Sequence, residues 1–320
     1  MISSFISKHF PLPKFLIPSH IGLSFSDTNI RAILIGGTKL RPSLKNITIP
    51  LDQGVIVGGK IVDIQKVVEK LSLLKSYFGL SFVFFAIPDE LAYIFQVAVP
   101  VIQGGDISEG VAFTIEENVP LPFSDVIFDF KPTKITKSDS GYESEVVTVA
   151  CVKKEVDKFI QAITDSGLLP VGCVHESQAI ANALVPKNST DVFGIVHARR
   201  DRIGIYLVKD GVVRFATLRS ITADDYKTQF LDEYVKFIEY ATHDHVQVDG
   251  AIKTIFACGD FEYSKKVVEA IVEGKDLMKN AKLANVWTNI LRLNDTTPSV
   301  SYEDSLNFAG PVGATLASIL

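Results

Sequence analysis

The sequence predicts an α/β protein of two related halves, each a β-sheet carrying helices. Three observations lead there. Gly22–Ile35 and Gly194–Leu207 are both glycine-led strand–turn–strand units, and each stands early in its half of the 320-residue chain. In each half an amphipathic helix follows, and after it a continuous apolar run: "LSFVFFAIP" at 80–88 and "IKTIFACGD" at 252–260. Runs of that kind read as strands covered on both faces. Between the halves lies the one clear polar loop, "PKNSTD" at 186–191, which sets a domain boundary.

Taken in order, 20–35 is a β-hairpin, "GGTK" at 36–39 a turn, and "NITIPL" at 46–51 a strand. "GVIVGGKIV" at 54–62 alternates around a Gly-Gly turn. A helix follows over 63–79: Asp63 can cap it, Ile64, Val67, Val68, Leu71 and Leu74 fall at helical spacing, and Gly79 can stop it. Residues 91–166 differ in character, with a strand at 92–100, a glycine-weakened helix at 107–120, strands at 125–135 and 145–152 around a hairpin tip at 136–144, and a helix at 153–167. That unit has no room for a large core of its own and reads as an inserted subdomain. The first half resumes with a strand at 168–175 and a short helix at 176–184. The second half has three strands within 192–219, a helix over 226–243, the strand at 252–260, a helix at 263–274, a short strand at 285–290 and a closing helix within 302–320. The expected organisation is therefore a leader (1–19), a first lobe (20–90 with 167–188), an insertion (91–166) and a second lobe (189–320). Two sheet-and-helix halves with a repeated opening predict an actin-like duplicated fold.

Composition narrows the function. Net charge is -5 and the isoelectric point near 5.7, which gives no support to a nucleic-acid-binding surface. Cys151, Cys173 and Cys258 are widely spaced and sit in apolar strand-like runs, so they read as buried thiols of a reducing compartment, not as a disulfide framework or zinc site. No run of about 18 uncharged apolar residues occurs, so no spanning helix is expected. The leader, "MISSFISKHFPLPKFLIP", lacks a charged n-region and a small-residue cleavage site, which excludes a signal peptide. It reads either as a disordered or packed leader or as a short amphipathic contact with a membrane or partner.

The turns carry the functional question. A phosphate-binding turn in such a fold aims backbone N–H groups at the anion, uses glycine for close approach, and holds the hydrated metal with an aspartate. In "GLSFSDT" those places hold Ser24 and Ser26, with Asp27 following, where it would repel a triphosphate. In "HARRDR" they hold His197 and Arg199; Arg199, Arg200 and Arg202 could bind an anion or form a solvated turn of mixed charge. A nucleoside pocket would need a glycine-rich strand end in the second half, where "FACGDFEY" offers Gly259 alone. No P-loop, Gly-x-Ser-x-Gly or His-Glu-x-x-His is present, and the six histidines show no metal-ligand spacing. No catalytic residue and no metal site are assigned.

The stretches "GLSFSDTNIRAILI", "IEENVPLPFSDVIFDF", "VVTVACVKKEVDKFIQAITDSGLLPVGCVHESQAIANAL" and "GIVHARRDRIGIYLVKDGVVRFATLRSI" run in an order that resembles the PilM family of type IV pilus assembly proteins, actin-like relatives of the cell-division protein FtsA. The resemblance implies an SHS2-type 1C subdomain over 91–166, ATP bound between the lobes, and a peptide of the inner-membrane protein PilN held between subdomains 1A and 1C, helping to build a cytoplasmic ring. Carried onto this chain, the first phosphate turn's aspartate and glycine fall on Ser24 and Ser26, the second's on His197 and Arg199, and the adenosine strand's glycines reduce to Gly259. Glu176 stands where the class keeps a carboxylate or amide near the attacking water, and also has an ordinary helix-capping explanation. Residues 221–250 leave space only for a reduced 2B lid. The expectation is a pseudo-ATPase scaffold with no cofactor, cytoplasmic and peripheral at the inner membrane through its partner. The peptide-groove candidates are Val119, Leu121, Phe123 and Ile127, for which subdomain core is the competing reading. The alternatives are a working ATPase using substitute residues, and a sugar-kinase-like enzyme, against which the missing aspartates count.

Overall fold

The computed structural model describes residues 19–38, 41–101, 106–138, 141–242, 250–274, 280–291 and 300–317. The leader, apart from Ser19, lies outside them. Lobe 1 opens with β1 (Ile21–Phe25) and β2 (Asn29–Thr38), whose outer edge pairs with β3 (Arg41–Pro50). Of the turn expected at 36–39, residue 39 lies outside the described residues, and Gly36 and Gly37 stay in the ladder, opposite Ser43 and Pro42. Adjacent glycines read as punctuation, but an unbroken strand pairing keeps them in the sheet. β4 (Ile56–Val57) and β5 (Lys60–Ile61) make a small hairpin. It leads to α1 (Ile64–Phe78), capped by Asp63, whose carboxylate accepts the Lys66 N–H at 3.1 Å. β6 (Phe82–Ile87) runs parallel to β1, and the 3-10 turn Asp89–Leu91 follows it.

The insertion is a three-stranded antiparallel sheet, order β7–β9–β8, built from β7 (Ala92–Pro100), β8 (Val126–Ser138) and β9 (Gly141–Val152). α2 (Ile107–Asn118) packs on one face, over a small core of Val111, Ile115, Val119, Val146 and Ala150. The strands of the β8–β9 hairpin run further than expected, to Ser138 and from Gly141. α3 (Lys153–Asp165), assigned to the insertion from sequence, belongs to lobe 1 instead. Its apolar stripe of Val156, Phe159, Ala162 and Ile163 joins Leu23, Phe25 and Leu71 in the lobe 1 core. The insertion therefore ends with β9. β10 (Leu169–His175), parallel to β6, and α4 (Glu176–Leu184) complete the lobe. β10 is an edge strand, and Cys173 on it is exposed; only Cys151 and Cys258 are the buried thiols expected.

Lobe 2 repeats the plan. β11 (Val192–Ala198), β12 (Arg202–Lys209) and β13 (Val212–Ser220) form the antiparallel meander, α5 (Tyr226–Thr242) follows, and β14 (Ile252–Gly259) runs parallel to β11. α6 (Phe261–Glu273) leads towards β15 (Ala281–Leu283). The two sheets match strand for strand, β10–β6–β1–β2–β3 against β15–β14–β11–β12–β13. What the sequence reads as a reduced 2B is, in its described part, α5 packed flat on its own sheet through Tyr226, Phe230, Tyr234 and Phe237. The strand expected at 285–290 is a turn. The Asn285 carboxamide oxygen accepts the Trp287 N–H at 3.1 Å, and its carbonyl accepts the Thr288 hydroxyl, local bonds that compete with a ladder.

The chain closes with α7 (Tyr302–Ser305) and α8 (Ala309–Ala317). α8 crosses back to lobe 1, against β1, β2, β6 and α4. α4 in turn gives Ile180, Leu184 and Val185 to a core shared with Phe193, Ile195 and Tyr206 of lobe 2. Each lobe thus lends one helix to the seam between them. Among the described residues no helix is long and apolar enough to cross a membrane.

Candidate functional site

Two concave surfaces stand out: a polar cleft between the lobes and an apolar groove between lobe 1 and the insertion. The cleft lies at the β1–β2 and β11–β12 turns, where the strand ends of both sheets converge. It is a cavity of about 320 Å³ lined by Ser24, Ser26, Asp27, Glu176, His197 and Arg199 among others. The fold thus brings together six of the seven residues singled out from sequence. Gly259 does not line it. Its φ of +102° and the crowding of a Cβ there, overlapping the Ala198 carbonyl and 2.9 Å from His197 Cδ2, give that glycine a purely structural reason.

Several backbone N–H groups of both turns are already engaged. In the first, the Ser26 N–H donates to the Asn29 carbonyl at 2.9 Å, and the Ser26 hydroxyl donates to that carbonyl and accepts the Asn29 N–H. In the second, the Arg199 N–H donates to the Arg202 carbonyl at 2.9 Å and the Arg200 N–H to the Asp260 carboxylate at 3.1 Å. The Asp27 carboxylate turns away to the β4–β5 hairpin and accepts the Gly58 and Gly59 N–H groups at 2.9 and 3.0 Å.

Charge in the cleft is matched across the lobes. Arg199 Nη2 lies 3.1 Å from Glu90 Oε1, and Arg199 Nη1 3.9 Å from Glu176 Oε2. Arg202 contacts the same Glu90 oxygen through Nη1 and lies 3.7 Å from Asp27 through Nη2. The lining holds four arginines (31, 199, 200 and 202) and four carboxylates (Asp27, Glu176, Asp201 and Asp260), so it carries no net formal charge. Arg31 faces the cavity without an ion pair among the described residues.

Burial tunes two of these groups in opposite senses. Desolvation pushes the Glu176 carboxyl up to about 7, against the pull of Arg199, and holds the His197 imidazole down at about 3, so His197 is neutral. A carboxyl raised in the folded state adds stability that is complete below its ordinary value of 4.5 and is lost as pH rises towards 7. Glu176→Gln is therefore expected to remove a decline on the order of 2 kcal/mol between those pH values. Urea titrations of parent and variant at pH 4.5 and 7.5 check it; parallel pH profiles would refute it. His197 contributes with the opposite sign in both proteins, its share being lost as pH falls below 6.5, and so drops out of the difference.

The groove has a volume of about 520 Å³ and is lined mainly by apolar side chains, including Ile87, Ile127, Val147, Val149 and Val156. It is bordered by the outer strands of two sheets, β8 and β10. Of the four groove candidates from sequence, Ile127 lines it and is 47% exposed. Val119 is buried in the insertion's core and Leu121 packs on it, as the competing reading had it, while Phe123 is exposed beside Phe128.

The sequence signature described as type IV pilus assembly protein PilM spans residues 22–245. The chain belongs to the PilM family. Its fold matches a solved structure described as a PilM–PilN type IV pilus biogenesis complex with a TM-score of 0.74 and 15% identity, over 95% of this chain and 99% of that one. It also matches the ethanolamine utilization protein EutJ from Carboxydothermus hydrogenoformans, with a TM-score of 0.51 and 12% identity, over 96% and 91% of the two chains. At such identities the likeness is one of fold, here the actin-like one. No protein with a curated description matches the sequence. In this PilM-family chain the cleft residues that sequence reasoning missed are Glu90, Arg31 and Asp260. Glu90 and Asp260 share a signal, a charged residue just beyond the end of a central strand, where α/β folds collect ligands, whereas Arg31 lies inside β2 and carries no such mark.

Proposed function

We propose that this PilM-family chain is a non-catalytic scaffold of a type IV pilus or related secretion machine. It docks an extended N-terminal segment of a PilN-type inner-membrane protein in the groove between lobe 1 (1A) and the insertion, read as an SHS2-type 1C subdomain. Through that partner it is held at the cytoplasmic face of the inner membrane, as a subunit of a ring. The observation that carries this reading is an apolar groove bordered by two outer strands. An extended peptide gains backbone hydrogen bonds at such an edge and specificity from pockets for alternate side chains. The Asp129 carboxylate accepts the N–H of Phe130 at 2.8 Å on β8, a bond that an incoming strand at that edge would exchange. Pro132, further along β8, has no N–H to offer and limits the length of pairing.

The cleft is read as a degenerate nucleotide site. A metal-bound triphosphate needs a carboxylate at the first turn, free N–H groups and uncompensated positive charge. Here Ser24 replaces the carboxylate, the N–H groups of Ser26, Arg199 and Arg200 are bonded within the protein, and Arg199 and Arg202 are paired. ATP with magnesium does not fit that donor set, and no catalytic role is assigned to Glu176. A working ATP site is the second reading, favoured only by Arg31, which lines the cavity and has no ion pair among the described residues.

Calorimetric titration with the N-terminal peptide of the neighbouring membrane-protein gene tests the docking. Binding in the micromolar range is expected, weakened about tenfold or more by Ile127→Asp, which places a charge on the groove wall. No binding at high micromolar peptide would overturn it. A thermal scan with ATP and magnesium tests the cleft, where no shift is expected. A ligand at a hundred times its Kd would add about 2.7 kcal/mol, and a shift of that size would establish the second reading.

A further inference from the structure

The 3-10 turn Asp89–Leu91 is where three parts of the molecule meet. β6 ends at Ile87 and β7 begins at Ala92, so this turn is one of the two chain connections between lobe 1 and the insertion. Its consecutive acidic residues are pinned on different sides. Asp89 is 3% exposed and anchors the start of α4, with Oδ1 accepting both the N–H and the hydroxyl of Ser177 at 2.9 Å. The neighbouring His175 and Ile87 line the groove. Glu90 is held from the other lobe, its Oε1 shared by Arg199 and Arg202. Arg202 reaches on to Asp27 of the β1–β2 turn, and Asp27 is tied to the tip of the β4–β5 hairpin.

We infer that Arg199 and Arg202, with Glu90, form a built-in clasp that replaces a bound triphosphate as the bridge between the lobes and that sets the width of the peptide groove. The physical argument has two steps. A metal-bound triphosphate closes a two-lobed cleft because both turns bind one charged body. Here the two guanidinium groups of the second turn bind carboxylates of lobe 1 directly, with the arginine and glutamate side chains only 13–15% exposed, so solvent screens them little. The glutamate they grip lies in the strap from which the insertion springs, next to Asp89, which holds the start of α4 beside the groove-lining His175. Releasing Glu90 removes one of the strap's two anchors, leaving Asp89 as the other, and the insertion sheet can then shift relative to β10. Closure is thus an internal property of the chain and needs no nucleotide.

This inference rests in part on the docking reading, so the test separates the two. Hydrogen exchange is measured on the full chain for the parent, Glu90→Gln, Arg202→Gln, Arg202→Lys and the swap Glu90→Arg/Arg202→Glu. The expected result is exchange about tenfold faster in the Asp89–Leu91 turn, β8 and β10 for Glu90→Gln and Arg202→Gln, with β11 and β14 unchanged. Arg202→Lys should restore protection, whereas the swap should not, because it sets like charges against Arg199 and Asp27. Peptide affinity should fall about tenfold in the same variants that lose it. Unchanged exchange in β8 and β10, or acceleration spread evenly over both lobes, would overturn the clasp. If the parent binds no peptide at all, the docking reading fails, while the exchange pattern still decides whether the clasp exists.

Discussion

Gly313→Ala is expected to destabilise the protein by about 3 kcal/mol or more, the largest effect of a single methyl group anywhere in the seam. Gly313 lies on α8 where that helix crosses α4. A Cβ at this position would overlap the Ala179 carbonyl group and stand 3.0 Å from Ala179 Cα, all of it backbone. A flexible side chain could move aside; the backbone of a buried helix cannot. Relief requires the two helices to separate, and Ile180, Leu184, Val312 and Leu316 at the same seam would lose their packing. For a chain of this size the loss corresponds to a fall in Tm of about 4–5 °C. Urea and thermal unfolding measure it. A loss below about 1 kcal/mol would mean that the seam opens cheaply and that close helix contact is not what joins the lobes.

Asp89→Ala is the second large effect, expected to cost about 3 kcal/mol at neutral pH. It removes the acceptor for two hydrogen bonds from Ser177, a residue with no exposed surface, and it removes the negative charge 3.9 Å from His175 Nδ1. Asp89→Asn keeps an acceptor oxygen and should cost less. The two variants also separate charge from hydrogen bonding by pH. Burial acts to raise the Asp89 carboxyl, but the His175 imidazole and the Ser177 N–H outweigh it and hold the carboxyl below 3.8. Its ionic contribution is thus complete above that value and is lost as pH falls through the depressed folded-state value. Acid unfolding followed by circular dichroism should show this loss in the parent and not in Asp89→Asn. Identical acid transitions would show that the carboxylate charge contributes nothing.

The paired openings at Gly22 and Gly194 were legible because a strand hairpin repeats a glycine and an apolar alternation whatever it packs against. The α1 cap at Asp63 was legible for the same reason, since its partner is three residues away. The expected strand at 285–290 failed because the Asn285 side chain offers the backbone a local turn, and apolar content does not report that competition. Sequence order alone places α3 with the insertion, because it follows β9 directly. Its destination was set by which core could accept Val156, Phe159 and Ile163, a property of lobe 1 and not of the segment.

The chain by itself determined the duplicated two-lobe plan, the family, and the presence of Ser24 and His197 at the two hairpins, because each of these is written in local pattern and residue type. Only the tertiary structure decided that Arg199 and Arg202 face Glu90 and Asp27 and not solvent, that Gly259 serves a neighbouring strand, and that α4 and α8 exchange places across the seam. Those outcomes join residues far apart in sequence, and an ion pair or a helix crossing exists only once packing has fixed both partners within reach.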